Sequence, residues 1–349
     1  MTRFRTTDRY FSRRSFLSLA AGALAAPSIA RATGLGRSIS FLIGNEGSGG
    51  YEAYARLFAK HLALAVPEAS VIIEVVPEAD GRLAAKRIDA ARPDELTIGL
   101  FETAMLYAEI EASSDVPVSL AAFNWIGKMA VDERILIASK RSGIETIEQL
   151  KQRSEPAIFP ASTIVSRSAS ESFMLNAMLG LPIKPVPGYD GGQRALAMLS
   201  GEAQVILGSF PSQKKMLERG EAVVLLRLND VPNPSAPADA PLLSDIAPAG
   251  STALVELIDL SNTLGRWIAA PPAIGEADLA ALRGAFDMVV ASPAFLAEAE
   301  AQGLAIDPLD GAAVQRRVRA LLARKDELRA ELATALSCGR RRAAGETSC

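Results

Sequence analysis

One histidine, His61, serves the whole 349-residue chain, and both cysteines, Cys338 and Cys349, fall near its C-terminal end. Thiol catalysis and cysteine-based metal sites are thereby excluded from the body of the protein. A Ser–His–Asp triad would depend on His61, which sits inside a helical pattern, and no G-x-S-x-G elbow precedes a helix. The carboxylates show no paired arrangement either. Glu145 with Glu148, and Glu298 with Glu300, have the spacing of solvated helix faces. Gly47-Ser48-Gly49-Gly50 lacks both the Lys-Ser/Thr of a P-loop and the spacing of G-x-G-x-x-G. No catalytic residue, metal or cofactor is expected; an exported hydrolase is the remaining enzymatic alternative, and a weak one. After residue 32 no apolar stretch approaches the ~20 residues of a membrane-spanning helix.

The N-terminal segment is where positive charge concentrates. Arg3, Arg5, Arg9, Arg13 and Arg14 stand against a single Asp8, ahead of a short apolar run from Phe16 to Ala26. Ala30-Arg31-Ala32 then supplies an A-x-A cleavage pattern. Ser12-Arg13-Arg14-Ser15-Phe16-Leu17 matches the twin-arginine export signal, with an ordinary secretory signal as the alternative. Residues 1–32 hold six arginines and one aspartate, so their removal takes the net charge from −3 to about −8. A chain this acidic is a poor partner for nucleic acid or anionic membranes. A periplasmic location follows from the signal. Cys338 and Cys349 can pair there, stapling only a tail, and the arginine run Arg340–Arg342 suits a disordered end.

From Ser38 onward short apolar runs alternate with helical patterns, which predicts an α/β protein with mostly parallel sheets. Strands are expected at 38–43, 71–76, 96–101, 134–138, 157–159, 203–207 and 264–270. Helices are expected from Tyr51, up to Ala91, and over 146–153, 168–179, 193–200, 276–291, 294–302 and 310–336. The Pro/Ala-rich stretch 230–241 reads as a surface loop. The expected division is a signal segment at 1–32, a first domain at 33–132 and 265–336, a second at 133–264, and a disordered tail at 337–349. Two crossovers, near 130–135 and 262–268, would form a hinge.

A local device recurs three times: a strand, a short loop of small residues, then a helix N-terminus. It occurs at Gly47-Ser48-Gly49-Gly50-Tyr51, at Ser162 to Ser168, and at Gly188-Tyr189-Asp190-Gly191-Gly192. Free N–H groups and the positive end of the helix dipole make such a terminus receptive to anions. In parallel α/β sheets these loops collect at the carboxyl ends of the strands, where ligands bind. The expected ligand contacts are Gly47, Ser48, Gly49, Gly50 and Tyr51, then Ser162, Ser166, Arg167 and Ser168, then Tyr189, Asp190, Gly191 and Gly192. Arg167 and Arg134 are the available counter-charges in the second domain.

These loops lie within stretches that resemble a known family. Gly49 to Leu57, Pro93 to Phe101, Phe123 to Gly127, Gly188 to Gly192, Leu196 to Leu207, Trp267 to Pro272, Leu282 to Asp287 and Ser292 to Leu296 are similar, in order, to the extracytoplasmic solute receptors of tripartite tricarboxylate transporters, the Bug proteins. The resemblance implies a two-domain Venus-flytrap fold with an interdomain cleft. It implies a monomeric receptor that holds a small carboxylate, largely through backbone amides and water, and passes it to a membrane permease. Presentation of the ligand to a membrane sensor is the alternative role. The sequence departs from the family at Pro77-Glu78-Ala79-Asp80-Gly81, where a glycine-rich turn is usual, and at Glu46 beside the first loop. Those added carboxylates disfavour an anion unless they point away or the ligand also carries positive charge, as an amino acid does.

Overall fold

The computed structural model describes residues 35–44, 50–76, 81–111, 118–231 and 236–346. The N-terminal stretch expected as a signal, Glu46 to Gly49, Glu78, Asp80 and Cys349 lie outside the described residues, and with them the pairing of Cys338 with Cys349. The first lobe opens with β1 (Ile39–Ile43), α1 (Gly50–Ala65), β2 (Val71–Val75), α2 (Arg82–Asp89), β3 (Leu96–Leu100), α3 (Ala104–Ile110) and β4 (Asn124–Lys128). β1 lies between β2 and β3 and is parallel to both. On α1, Tyr51, Tyr54, Phe58 and Leu62 recur at helical spacing and are buried together, which seats the helix on the sheet.

The chain then crosses to a second lobe. There it forms β5 (Arg134–Ser139), α4 (Ile147–Lys151), β6 (Ala157–Pro160), α5 (Arg167–Leu179), β7 (Ile183–Val186), α6 (Gly191–Ser200), β8 (Val205–Ser209), α7 (Phe210–Glu218), β9 (Ala222–Arg227), α8 (Leu243–Ile246) and α9 (Thr252–Thr263). β5 is the centre of a three-stranded sheet and antiparallel to both β8 and β9, while β6 and β7 pair in parallel. The return crossover delivers β10 (Trp267–Ala270), α10 (Glu276–Val290), α11 (Pro293–Ala301), β11 (Leu309–Asp310), α12 (Gly311–Ala323) and α13 (Lys325–Ala343). Because β10 runs back from the other lobe, it enters antiparallel between β3 and β4. The first sheet therefore has the order β11-β4-β10-β3-β1-β2.

The strands and helices expected from the apolar pattern are present, with ends displaced by a few residues. β4, β7, β9 and the two-residue β11 lie outside the expected strands; β7 is disguised by Lys184 and Pro185, which are poor strand residues. The expected helix at 310–336 breaks at Arg324 into α12 and α13. The expected disordered tail is corrected at its start, since α13 continues to Ala343. Gly339 explains the correction: a Cβ there would fall 2.0 Å from the Phe173 carbonyl oxygen, so glycine permits α13 to lie directly on α5. Asn176 Nδ2 donates to the Gly339 carbonyl at 3.3 Å, and Arg329 Nε to that of Ile110 at 3.0 Å. The last helix thus touches α5 of the second lobe and α3 of the first. Trp125 of β4 and Trp267 of β10 stack at 4.0 Å, in a buried apolar cluster that also holds Phe159 and Phe173 of the second lobe.

Candidate functional site

The two crossovers run side by side. Met129 N–H donates to the Arg266 carbonyl at 2.8 Å, Arg266 N–H to that of Ala130 at 3.2 Å, and Asp132 N–H to that of Asn262 at 2.9 Å. A Cβ on Gly265 would sit 2.6 Å from the Asp132 nitrogen, so only glycine allows this approach. The crossovers expected near 130–135 and 262–268 are therefore a paired ribbon joining the lobes.

A buried ionic cluster is built on that ribbon. Asp132 comes from the first crossover and Arg266 from the second. Arg134 opens β5, and Arg167 and Glu171 lie one turn apart on α5. All five are at least nine-tenths buried. Arg167 donates to Asp132 Oδ2 at 2.7 Å, to Glu171 Oε1 at 3.0 Å, and to Asn262 Oδ1. Arg266 Nη2 donates to Asp132 Oδ1 at 3.1 Å. Arg134 donates through Nε to Glu171 Oε2 at 3.0 Å and through Nη2 to Ser168 Oγ at 2.8 Å. Burial by itself would raise the Asp132 carboxyl, but Arg266, Arg167 and Arg134 outweigh it and hold the group well below the usual carboxylate range. Burial would likewise lower Arg167, and Glu171 with Asp132 instead raise it well above the ordinary guanidinium value.

Charge does not close within this cluster. Three guanidiniums face two carboxylates, leaving one buried positive charge in excess. Buried hydrogen-bonding capacity is also left over. Among the described residues, Arg266 Nε, Asn262 Nδ2, Tyr51 Oη and Thr103 Oγ1 are buried without a hydrogen-bond partner. An uncompensated buried charge and unmade hydrogen bonds are both costly, which makes their coincidence informative. The Arg266 guanidinium lies 4.0 Å over the Tyr51 ring, and a Cβ on Gly50 would stand 3.5 Å from Arg266 Nη2. Burial raises the Tyr51 phenol, against the opposing pull of Arg266 and Arg167.

The expected contact residues divide into three groups. Gly50 and Tyr51 begin α1 beside Arg266, whereas Gly47, Ser48 and Gly49 lie outside the described residues. Ser166 caps α5 by accepting from Ala169 N–H at 3.4 Å, Arg167 is turned inward to the cluster, and Ser168 holds Arg134. Arg167, expected as a cation open to ligand, is thus already committed to two carboxylates. Ser162 is half-buried, and its carbonyl accepts from Gly188 N–H at 3.0 Å, tying the second loop to the third. The third loop faces outward: Tyr189 gives its hydroxyl to Glu202, and Asp190 forms a capping box with Gln193 at exposed Gly191 and Gly192. His61 packs edge-on against Phe295 with Nε2 2.9 Å from Glu298, a structural setting.

Sequence reasoning missed Asp132, Glu171, Asn262 and Arg266. The readable signal was a charge of each sign inside the two crossovers; nothing marked Glu171 or Asn262 on their helices. A cavity of about 320 Å³ opens on Arg266 as well, lined by Tyr54, Asp132, Glu133, Phe210, Lys214 and Ala305 among others. None of the expected loop residues lines it. Its charges are mixed, and Asp132 and Arg266 are already paired there, so the excess charge and the orphaned donors locate the candidate site better. Among the described residues no group of three or more His, Cys, Asp or Glu side chains could hold a metal ion.

No family model matches the chain, and no curated protein matches it by sequence. Solved structures do match by fold. A TctC solute-binding protein from Polaromonas is 16% identical, with a TM-score of 0.63 over 89% of this chain and 99% of its own. The periplasmic binding protein BugD is 16% identical, with a TM-score of 0.66 over 85% of this chain and 98% of its own. MatC of Rhodopseudomonas palustris, solved with malate, is 17% identical, with a TM-score of 0.67 over 83% of this chain and 98% of its own. The fold is the two-domain architecture of periplasmic solute-binding proteins, and TctC and Bug-type receptors are its structural neighbours.

Proposed function

We propose that the chain is an exported receptor of the tripartite tricarboxylate type that captures a small organic acid between its lobes without transforming it. The observation that carries this reading is the excess buried positive charge beside Gly50, where two lobes meet and buried donors stand unused. An anion seated there would complete the charge and the hydrogen bonds together. The fold supports the reading, since neighbours of this architecture were solved with malate and with adipate. Local geometry has to act against the acidic protein as a whole: a helix terminus contributes roughly 0.3–1 kcal/mol, and a charge-assisted hydrogen bond about 1.5–3 kcal/mol.

The first domain would comprise 33–132 and 265–336, the second 133–264, and capture would proceed by closure about the crossover ribbon. Delivery would be to a membrane permease. A thermal-shift screen of organic acids and amino acids on the mature protein tests the function. At least one acid should raise the melting temperature, and the same acid should reduce the radius of gyration in solution scattering. A panel without any stabilising acid removes the receptor reading; stabilisation with unchanged scattering removes closure. Export is tested separately, by replacing Arg13 and Arg14 with lysine, which should hold the precursor in the cytoplasm.

A further inference from the structure

We propose that Arg266 and Tyr51, at the first turn of α1, form a seat for a single carboxylate group, and that the ligand is a monocarboxylate with an uncharged body. The proposal rests on the receptor reading above and specifies its ligand. Five charged side chains of the cluster are at least nine-tenths buried, and together they leave one positive charge. One bound carboxylate closes that balance. A second would enter the same low-dielectric region with no cation of the cluster left to meet it, because Arg134 and Arg167 are held by Glu171 and Asp132. The penalty for an unpaired buried charge is large enough to select against it.

The donors point to the same place. Arg266 Nε and the Tyr51 hydroxyl are buried and find no partner among the described residues, and their side chains are in contact with each other. Arg266 Nη2 approaches Gly50, the first residue of α1, so the guanidinium stands at a helix N-terminus. A carboxylate here would accept from Arg266 and from the Tyr51 hydroxyl in the positive field of the helix. The loop leading into Arg167 carries exposed apolar side chains, Ile164 and Val165, each 43% exposed. Such a surface suits a hydrocarbon body. Glu102, half-buried, also acts on Tyr51, adding to the rise of its phenol that burial causes.

The test pairs acids that share a carbon skeleton and differ in one carboxylate: propionate with malonate, hexanoate with adipate, benzoate with phthalate. Each is titrated calorimetrically into the mature protein and into Tyr51→Phe. At least one monocarboxylate should bind, at least tenfold tighter than its dicarboxylate partner. Tyr51→Phe should leave the ligand-free melting temperature unchanged or slightly higher, because the hydroxyl it deletes has no partner, while weakening that monocarboxylate roughly tenfold. A dicarboxylate that binds as tightly as its partner overturns the proposal, as does undiminished affinity in Tyr51→Phe. Silence from all six acids overturns it too. The receptor reading itself falls only if the wider screen is also silent.

Discussion

Tyr51 and Tyr189 belong to two copies of the same local device, Tyr51 as the second residue of α1 and Tyr189 just ahead of the Asp190 cap of α6, yet their surroundings differ completely. Tyr51 is buried under the Arg266 guanidinium with its hydroxyl unused. Tyr189 is half-buried with its hydroxyl given to Glu202, and the helix that follows is capped by Asp190 and Gln193. A strand–loop–helix terminus therefore becomes a candidate anion site only where the fold leaves its donors unspent. In the third loop the Tyr189 hydroxyl and the Asp190 side chain are already partnered, and Gly191 and Gly192 face water.

The comparison is tested most severely at the cluster beside Tyr51. Asp132→Ala leaves three buried guanidiniums with one carboxylate and should destabilise the ligand-free protein by roughly 3–5 kcal/mol. Arg167→Ala should cost a similar amount, because it strips Asp132, Glu171 and Asn262 of a shared donor. Urea denaturation measures both. A loss below about 1 kcal/mol from either would mean that the cluster does not hold the lobes' junction as described.

Acid should reveal the same cluster with a defined sign. The folded-state Asp132 carboxyl is held below its unfolded value of about 3.9, so its contribution is complete above that pH and is lost only as pH falls toward the folded value. The stability gap between the wild type and Asp132→Asn should therefore be constant from pH 8 to pH 5 and shrink below about pH 4. A gap that closes near neutrality would contradict the strong pairing of Asp132.

Effects at the third loop should be the smallest. Gly191 has open space around its Cβ position, so Gly191→Ala should raise stability by about 0.4–1 kcal/mol and leave ligand affinity unchanged. Tyr189→Phe removes one hydrogen bond at the surface and should change stability by no more than about 1 kcal/mol. A severalfold loss of affinity in either variant would erase the distinction between the loops and return the third one to the site.

Much of this arrangement was legible in the chain. Apolar runs separated by small-residue turns announced β1, β2, β3, β5, β6 and β8, and helical spacing announced the helices that cover them. The crossovers near Asp132 and Arg266 were legible as places where the chain passes from one sheet to another and back. The fate of Arg167 was not, because its partners lie far along the chain: Asp132 is 35 residues away and Asn262 is 95. Nor was the end of α13, whose order comes from a glycine fitted against Phe173 across 166 residues of chain.

The sequence by itself determined the local matters: which segments are strands and helices, where the glycine loops fall, and how little catalytic equipment the chain carries. Periodicity, turn chemistry and composition act over a few residues, and neighbours along the chain suffice to settle them. Only the tertiary structure decided which cations are spent and which donors are left over. Burial and pairing are properties of side chains that meet in space, and a guanidinium such as Arg266 takes its role from Asp132 and Tyr51, residues that the linear order keeps far apart.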